Sequence, residues 1–232
     1  MKKLGILVFI VAIIVGVVFA SFFSYGRVSG KIFSFSIGKS VRGSGVEAAQ
    51  TRTPADFTSV EVGGVFQVDI TAGKDLSVEV SADDNLLQYI TTEVHDGVLK
   101  ISTSERLKSR SPIRVRVSAP NIERIEASGA SEVNVAGVSN SELGLDLSGA
   151  SRVRVTGETR SLNVEVSGAS NLDANGLKTS AADVQASGAS HVSISVSDNL
   201  IAHASGASSV SYAGSPGRVE KSSSGASKIT QK

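Results

Sequence analysis

The chain of 232 residues contains no cysteine and no tryptophan. Without cysteine there is neither a disulfide framework nor thiolate chemistry, which suits an envelope protein that folds without oxidation. Aromatic residues make up only 5% of the chain, so the large side chains that fill a globular interior are scarce. Small residues pack only narrow spaces, and the expected core is therefore thin and stacked. A charge excess is missing as well: beyond residue 23 the chain holds 21 basic and 22 acidic residues. A nucleic-acid binder shows a basic face, so no nucleic-acid partner is expected. No Gly-rich phosphate loop and no metalloprotease helix motif occurs, and no catalytic or cofactor-binding residue and no cofactor is assigned. The three histidines, His95, His191 and His203, form no local ligand cluster and read as exposed variation.

What the chain has instead is one phrase, Ser-Gly-Ala-Ser, six times over: at 128–131, 148–151, 167–170, 187–190, 205–208 and 224–227. Its first Ser recurs at intervals of 20, 19, 20, 18 and 19 residues, so the second half is one unit copied with slight variation. Such periods mark a repeat architecture.

Ahead of the repeat, Leu4 to Phe23 is an unbroken apolar or small run behind Lys2 and Lys3. At about 1.5 Å per residue it can cross a hydrocarbon layer about 30 Å thick. Residues 1–23 are thus expected to be a transmembrane helix, with a cleaved signal peptide the rival reading from Val18-Phe19-Ala20. The domain is placed outside, because long domains translocate largely regardless of flanking charge. Residues 24–55, rich in Ser, Gly, Lys and Arg, read as a linker.

From Phe57 the apolar period is two. Residues 57–70 match 122–135 in register, with Gly63-Gly64-Val65-Phe66 in place of the phrase, and form a degenerate additional copy. The insert that follows reads as a β-meander. Leu76, Val78 and Val80 alternate; Asp83-Asp84-Asn85 resembles a helix cap before Leu86; Asp96-Gly97 signals a hairpin; and Ile113, Val115 and Val117 lead to Pro120. The domain accordingly spans 56–232, with the first coil and meander at 56–120 and six phrase-bearing coils at 121–232.

Aligned on the first Ser, the copies separate into columns. Five residues before it stand Glu123, Leu143, Leu162, Ala182, Leu200 and Val219; three before, Ile125, Leu145, Val164, Val184, Ala202 and Lys221; one before, Ala127, Leu147, Val166, Ala186, Ala204 and Ser223. Five and seven after it come columns headed by Val133 and Val135 that end in Ile229 and Gln231. All are expected to face inward, giving each copy two half-buried strands. One such coil cannot cover its own apolar face, whereas coils stacked about 4.8 Å apart bury a continuous seam. The fold class expected is an all-β parallel β-helix or solenoid of about 19-residue coils. The structural repeat is carried by Gly129, Ala130, Gly149, Ala150, Gly168, Ala169, Gly188, Ala189, Gly206, Ala207, Gly225 and Ala226. In it the Ala methyls are expected to stack inside a tight corner, with Gly supplying the bend and the Ser hydroxyls running as ladders. Gly137, Gly157, Gly176 and Gly214 mark the turn into the next coil. The last coil reads as a cap, with Lys221, Lys228 and Lys232 discouraging edge pairing.

One outward column reads Glu126, Asp146, Glu165, Gln185, His203 and Ser222. A carboxylate ladder could hold a divalent cation or serve glycan cleavage. The plainer reading is a solvated face relieved by Arg124, Arg152 and Arg154, without aromatics to hold sugar rings, and no metal site is assigned.

Val65-Phe66-Gln67-Val68-Asp69-Ile70 with Gly73, the stretch from Asp83-Asp84-Asn85-Leu86-Leu87 through Glu93-Val94-His95-Asp96-Gly97-Val98-Leu99-Lys100-Ile101, and the repeated phrase together resemble the head GIN domain family of putative auto-transporter adhesins. The resemblance covers roughly 56–230. It implies a right-handed, β-helix-like domain of the bacterial cell envelope and supplies no catalytic residues. No barrel-forming region follows the last copy, so secretion through a barrel of its own is not expected. The expectation is a non-enzymatic, membrane-tethered module that binds a protein or glycan, secreted if the leader is cleaved; a glycan-acting enzyme and a cation-stabilised structural protein are the alternatives.

Overall fold

The computed structural model describes residues 40–232. The apolar run over residues 4–23 and the first part of the linker lie outside the described residues, among which no helix is long and apolar enough to cross a membrane.

The alternating sequence forms strands throughout, because period-two apolarity buries one side of each. In chain order they are β1 (Val41–Arg42), β2 (Glu47–Arg52), β3 (Ser59–Gly64), β4 (Gln67–Ala72), β5 (Ser77–Asp83), β6 (Ile90–His95), β7 (Val98–Thr103), β8 (Leu107–Lys108) and β9 (Arg114–Ala119). The repeat follows as β10 (Arg124–Gly129), β11 (Glu132–Leu147), β12 (Arg152–Val166), β13 (Asn171–Ala186), β14 (His191–Ala204), β15 (Ser209–Ala213), β16 (Arg218–Ser223) and β17 (Lys228–Gln231). They wind into a β-solenoid of about five turns.

Successive copies lie in register. Ile125 pairs with Leu145, Leu145 with Val164, Val164 with Val184, and Val184 with Ala202, all parallel. On the second face Val133, Val153, Leu172, Val192, Val210 and Ile229 follow one another in the same way. From Val133 to Val210 this file is at most 1% exposed, so the seam read from sequence is the core. β11 to β14 each run from the second face of one coil to the first face of the next. A short third side lies between, where Val138, Thr159, Leu177, Thr179 and Val196 are buried. Gly137, at φ 78°, turns the chain into that side, and the register shifts there between Val135 and Val138. Thr159 is accommodated inside because its hydroxyl donates to Asn140 Oδ1 at 2.7 Å, while Asn140 Nδ2 donates to the carbonyl of Ile122 at 2.7 Å.

The degenerate copy takes its place in the stack: β3 pairs with β10, Gly63 opposite Ser128 and Gly64 opposite Gly129, and β4 pairs with β11. The insert differs from a simple meander. Its hairpin is antiparallel with Asp96 at φ 51° and Gly97 at φ 76°, but β7 runs parallel to β3 and β9 parallel to β4. Those two strands form one more rung beneath the degenerate copy. β6 and β5 then pair antiparallel onto that rung, with β6 left as an edge strand. A 3-10 helix, Asp84–Tyr89, buries Leu86. Asp83 makes no side-chain cap bond to it; its buried Oδ2 accepts from Ser109 Oγ and the Arg110 amide, both at 3.2 Å.

Three further expectations are corrected. Part of the linker is strand: β2 adds antiparallel to β5 from Glu47↔Asp83 to Arg52↔Val78, and β1 pairs with β8. Arg52 fixes that strand by donating to the carbonyls of Ile90 and Leu87 at 2.7 and 3.1 Å, contacts too far apart in sequence to show as a local pattern. Glu123 is exposed and Ile122 is buried in its stead, since the chain enters the first coil through an irregular turn after Pro120. In the last coil Lys221, Ser223 and Gln231 stand exposed although their columns are buried elsewhere, because nothing among the described residues lies over them.

Candidate binding groove

The corner phrase builds the edge of the groove. Its glycines hold φ values from 71° to 78°, in the left-handed region that side chains disfavour. A Cβ on Gly149 would sit 2.6 Å from the carbonyl oxygen of Gly129 in the coil below. Glycine is thus required twice over, by conformation and by close approach. The alanines do not stack inside: Ala130, Ala150, Ala169, Ala189, Ala207 and Ala226 are all exposed, and the closing Ser of each complete corner from Ser131 to Ser208 is buried instead. The reason is the corner backbone. The left-handed glycine breaks the alternation, turning Ala out and the next residue in, where the turned carbonyls need a donor. Ser151 Oγ meets the Ser148 carbonyl at 2.9 Å and the Ala127 carbonyl one coil below at 3.2 Å. The amide of each corner Ala donates to the glycine of the preceding coil, as Ala150 does to Gly129 at 2.8 Å. The degenerate copy carries the signal that sequence reasoning missed: Phe66, in the closing position, is 2% exposed, and Val65, in the Ala position, is 72% exposed.

The hydroxyl ladders serve the corner backbone of the coil below. Ser128 and Ser167 turn toward carbonyls of the coil below, Val62 at 3.2 Å and Leu147 at 3.4 Å.

Beside this corner the first face carries the outward file Lys100, Glu61, Glu126, Asp146, Glu165, Gln185, His203 and Ser222, each opposite the next. From Glu61 onward these residues line a groove of about 510 Å³ together with the first Ser of the phrases. The predicted ladder Glu126, Asp146 and Glu165 is brought together, and two of its members share one cation. Arg124 Nε donates to Glu126 Oε1 at 2.8 Å, and its Nη2 donates to Asp146. At the near end Lys100 Nζ lies 2.7 Å from Glu61 Oε1. Glu165 makes no ion pair among the described residues. Burial holds the Asp146 carboxyl above the ordinary range, Arg124 pulls it back, and Glu165 and Glu126 raise it again. The Arg124 guanidinium is held up by its hydrogen bond to Glu126. Among the described residues no three His, Asp or Glu side chains are grouped to hold a metal ion.

The other titratable residues are dispersed. His203 lies in the groove, His191 stands on the second face opposite Asn171, and His95 ends β6 with Glu93 at 3.4 Å. Arg152 is on the second face too, while Arg154 faces Asp173 at 3.3 Å. Neither relieves the acidic file; Arg124 and Lys100 do.

The described residues thus form a parallel solenoid with a polar file along its first face. The chain belongs to the family described as putative auto-transporter adhesin, head GIN domain, which matches residues 56–216. Three solved structures share its fold. A putative adhesin from Bacteroides fragilis is 19% identical with a TM-score of 0.69, covering 83% of this chain and 100% of that one. A putative adhesin from Parabacteroides distasonis is 19% identical, TM-score 0.54, covering 83% and 99%. A protein from the same species described as a putative lipid binding protein is 18% identical, TM-score 0.50, covering 84% and 100%. None of the curated proteins compared matches the chain.

Proposed function

We propose that this chain is a non-enzymatic cell-envelope module, held at the membrane by residues 4–23 with its domain outside the cytoplasm, that binds a protein or glycan along the first-face groove. The groove itself carries this reading: its acceptors Glu165, Gln185 and His203 stand in one file at the strand spacing of about 4.8 Å. An extended ligand rich in hydroxyls or amines could meet several of them with little loss of chain entropy. Among the described residues no Phe, Tyr or Trp side chain lines the groove, so affinity comes from polar contacts and is expected to weaken with salt. The family description supports a surface setting. In this reading the coils wind right-handedly, as parallel strand crossovers do.

The test is retention of envelope proteins and of arrayed glycans on the purified chain at several ionic strengths. The reading predicts a retained partner that is lost in the Glu165→Gln, Gln185→Ala double variant. No retained partner at any ionic strength would overturn it. Intact-mass measurement on membrane-extracted protein distinguishes a retained anchor from a cleaved leader.

A further inference from the structure

The two ends of the stack are finished differently. At one end the antiparallel strands β5 and β6 cover the first rung, and their inward Val78, Val80 and Ile90 are at most 3% exposed. At the other end β16 is paired only with β14, and β17 only with β15; among the described residues no strand covers their outer edges. Val219 is 40% exposed although Leu200, directly beneath it, is 0% exposed. The next inward position on β16 is a cation. Lys221 stands opposite Ala202, with its Nζ 4.6 Å from the centre of the Tyr212 ring. Arg218, Lys228 and Lys232 lie on or beside the same two strands. Glu220 is their one acid, 3.8 Å from Arg218.

An open strand edge with an apolar position followed two residues on by a cation is a template with a definite complement. We propose that β16 is a docking edge for an extended acidic segment of a partner protein, which adds as the next strand with an apolar side chain over Val219 and a carboxylate over Lys221. Backbone hydrogen bonds along the edge supply attachment, and the file supplies the choice of partner. The cations that would repel a second copy of this rung favour an acidic strand. This surface lies apart from the first-face groove and does not depend on it.

The test uses the full-length chain and labelled peptides of about ten residues in which Thr alternates with Val and Glu, followed by fluorescence anisotropy. Both peptides are tested on the Glu165→Gln, Gln185→Ala chain, whose first-face groove has lost its free acceptors for amines; there the acidic peptide is expected to bind, and its counterpart with Lys for Glu is not. Lys221→Glu should weaken the acidic peptide at least about tenfold and admit the basic one, a reversal typical of close charge pairs. Lys221→Gln gives the weakening alone and serves if the glutamate variant melts early. Restoring Glu165 and Gln185 should leave acidic-peptide binding unchanged, which separates failure here from failure of the groove. Equal affinity for the two peptides, no effect of either Lys221 variant, or full binding by a peptide N-methylated at every residue would overturn the proposal. So would a chain that sediments as a dimer and becomes monomeric on Val219→Lys, since the occupant would then be a second copy.

Discussion

Ser151 and Ser190 hold the same position in two corners of the stack and are both buried, yet they should answer differently to the same substitution. Ser151 Oγ serves two carbonyls, whereas Ser190 Oγ has no partner. Removing a donor that satisfies buried carbonyls costs about 1–3 kcal/mol, while removing an unsatisfied hydroxyl costs little. Ser151→Ala is therefore expected to lower the urea midpoint clearly and Ser190→Ala to leave it nearly unchanged or raise it. At the neighbouring positions, Gly149→Ala should cost about 2–4 kcal/mol, since it combines left-handed strain with a Cβ against the Gly129 carbonyl. Ala150→Glu, which points to solvent, should stay within about 0.5 kcal/mol of the parent. Two carboxylates give a pH signature of opposite sign. Asp146 is held high chiefly by burial, so its contribution is present in acid and lost as pH rises through its folded value; Asp146→Asn should gain stability relative to the parent from acid to neutral pH. Asp173 is held low, first by the Asn175 side chain, so its contribution is present at neutral pH and lost as pH falls through its folded value. Asp173→Asn should thus be less stable than the parent at neutral pH and converge with it in acid. Thermal melts of the three proteins from about pH 3 to about pH 7 check both signs.

At the scale of elements, the strands were readable and the corners were not. Period two places Ile125, Leu145 and Val164 in one inward file without ambiguity, because the alternation of a strand leaves them no other side. A corner has no period. There the hydropathy of Ala against Ser pointed the wrong way, since the deciding quantity is the donor demand of turned carbonyls rather than apolar area. The acidic file could be read by alignment, but its neutralisation could not. Arg124 and Lys100 reach it from adjacent positions whose registers depend on long-range pairing. The same limit hid β2, whose Arg52 finds its partners 35 and 38 residues away, and the rung made by β7 and β9. The elements should also differ in protection. Amides of β12 and β13, paired on both sides, are expected to exchange only on global opening, and those of β16 and β17, paired on one side, by local fraying. Native-state hydrogen exchange resolved by strand measures this order, and equal protection throughout would contradict it.

On the scale of the whole molecule, each coil touches only its neighbours, so stability is a sum of rung and interface terms rather than a property of one closed core. The periodicity makes this testable by excision. Deleting residues 148–166 joins Leu147 to Ser167 and removes one copy of 19 residues. The corner Ser167-Gly168-Ala169-Ser170 then stacks on Ser128-Gly129-Ala130-Ser131, and Val184 comes to lie over Leu145 in the same apolar file. Arg124 keeps both Glu126 and Asp146, and the antiparallel end formed by β5 and β6 is untouched. The shortened chain should fold with an unchanged strand spectrum and a smaller urea m-value, in keeping with the surface lost. Deleting only residues 152–160 offers no such solution. It removes the second face and third side from one coil while leaving the first, so no register satisfies both Val133 and Leu172 with neighbours. Circular dichroism and urea titration of the two deletions separate the cases: an in-register excision that unfolds the chain as thoroughly as the half-coil deletion would show coupling beyond nearest neighbours.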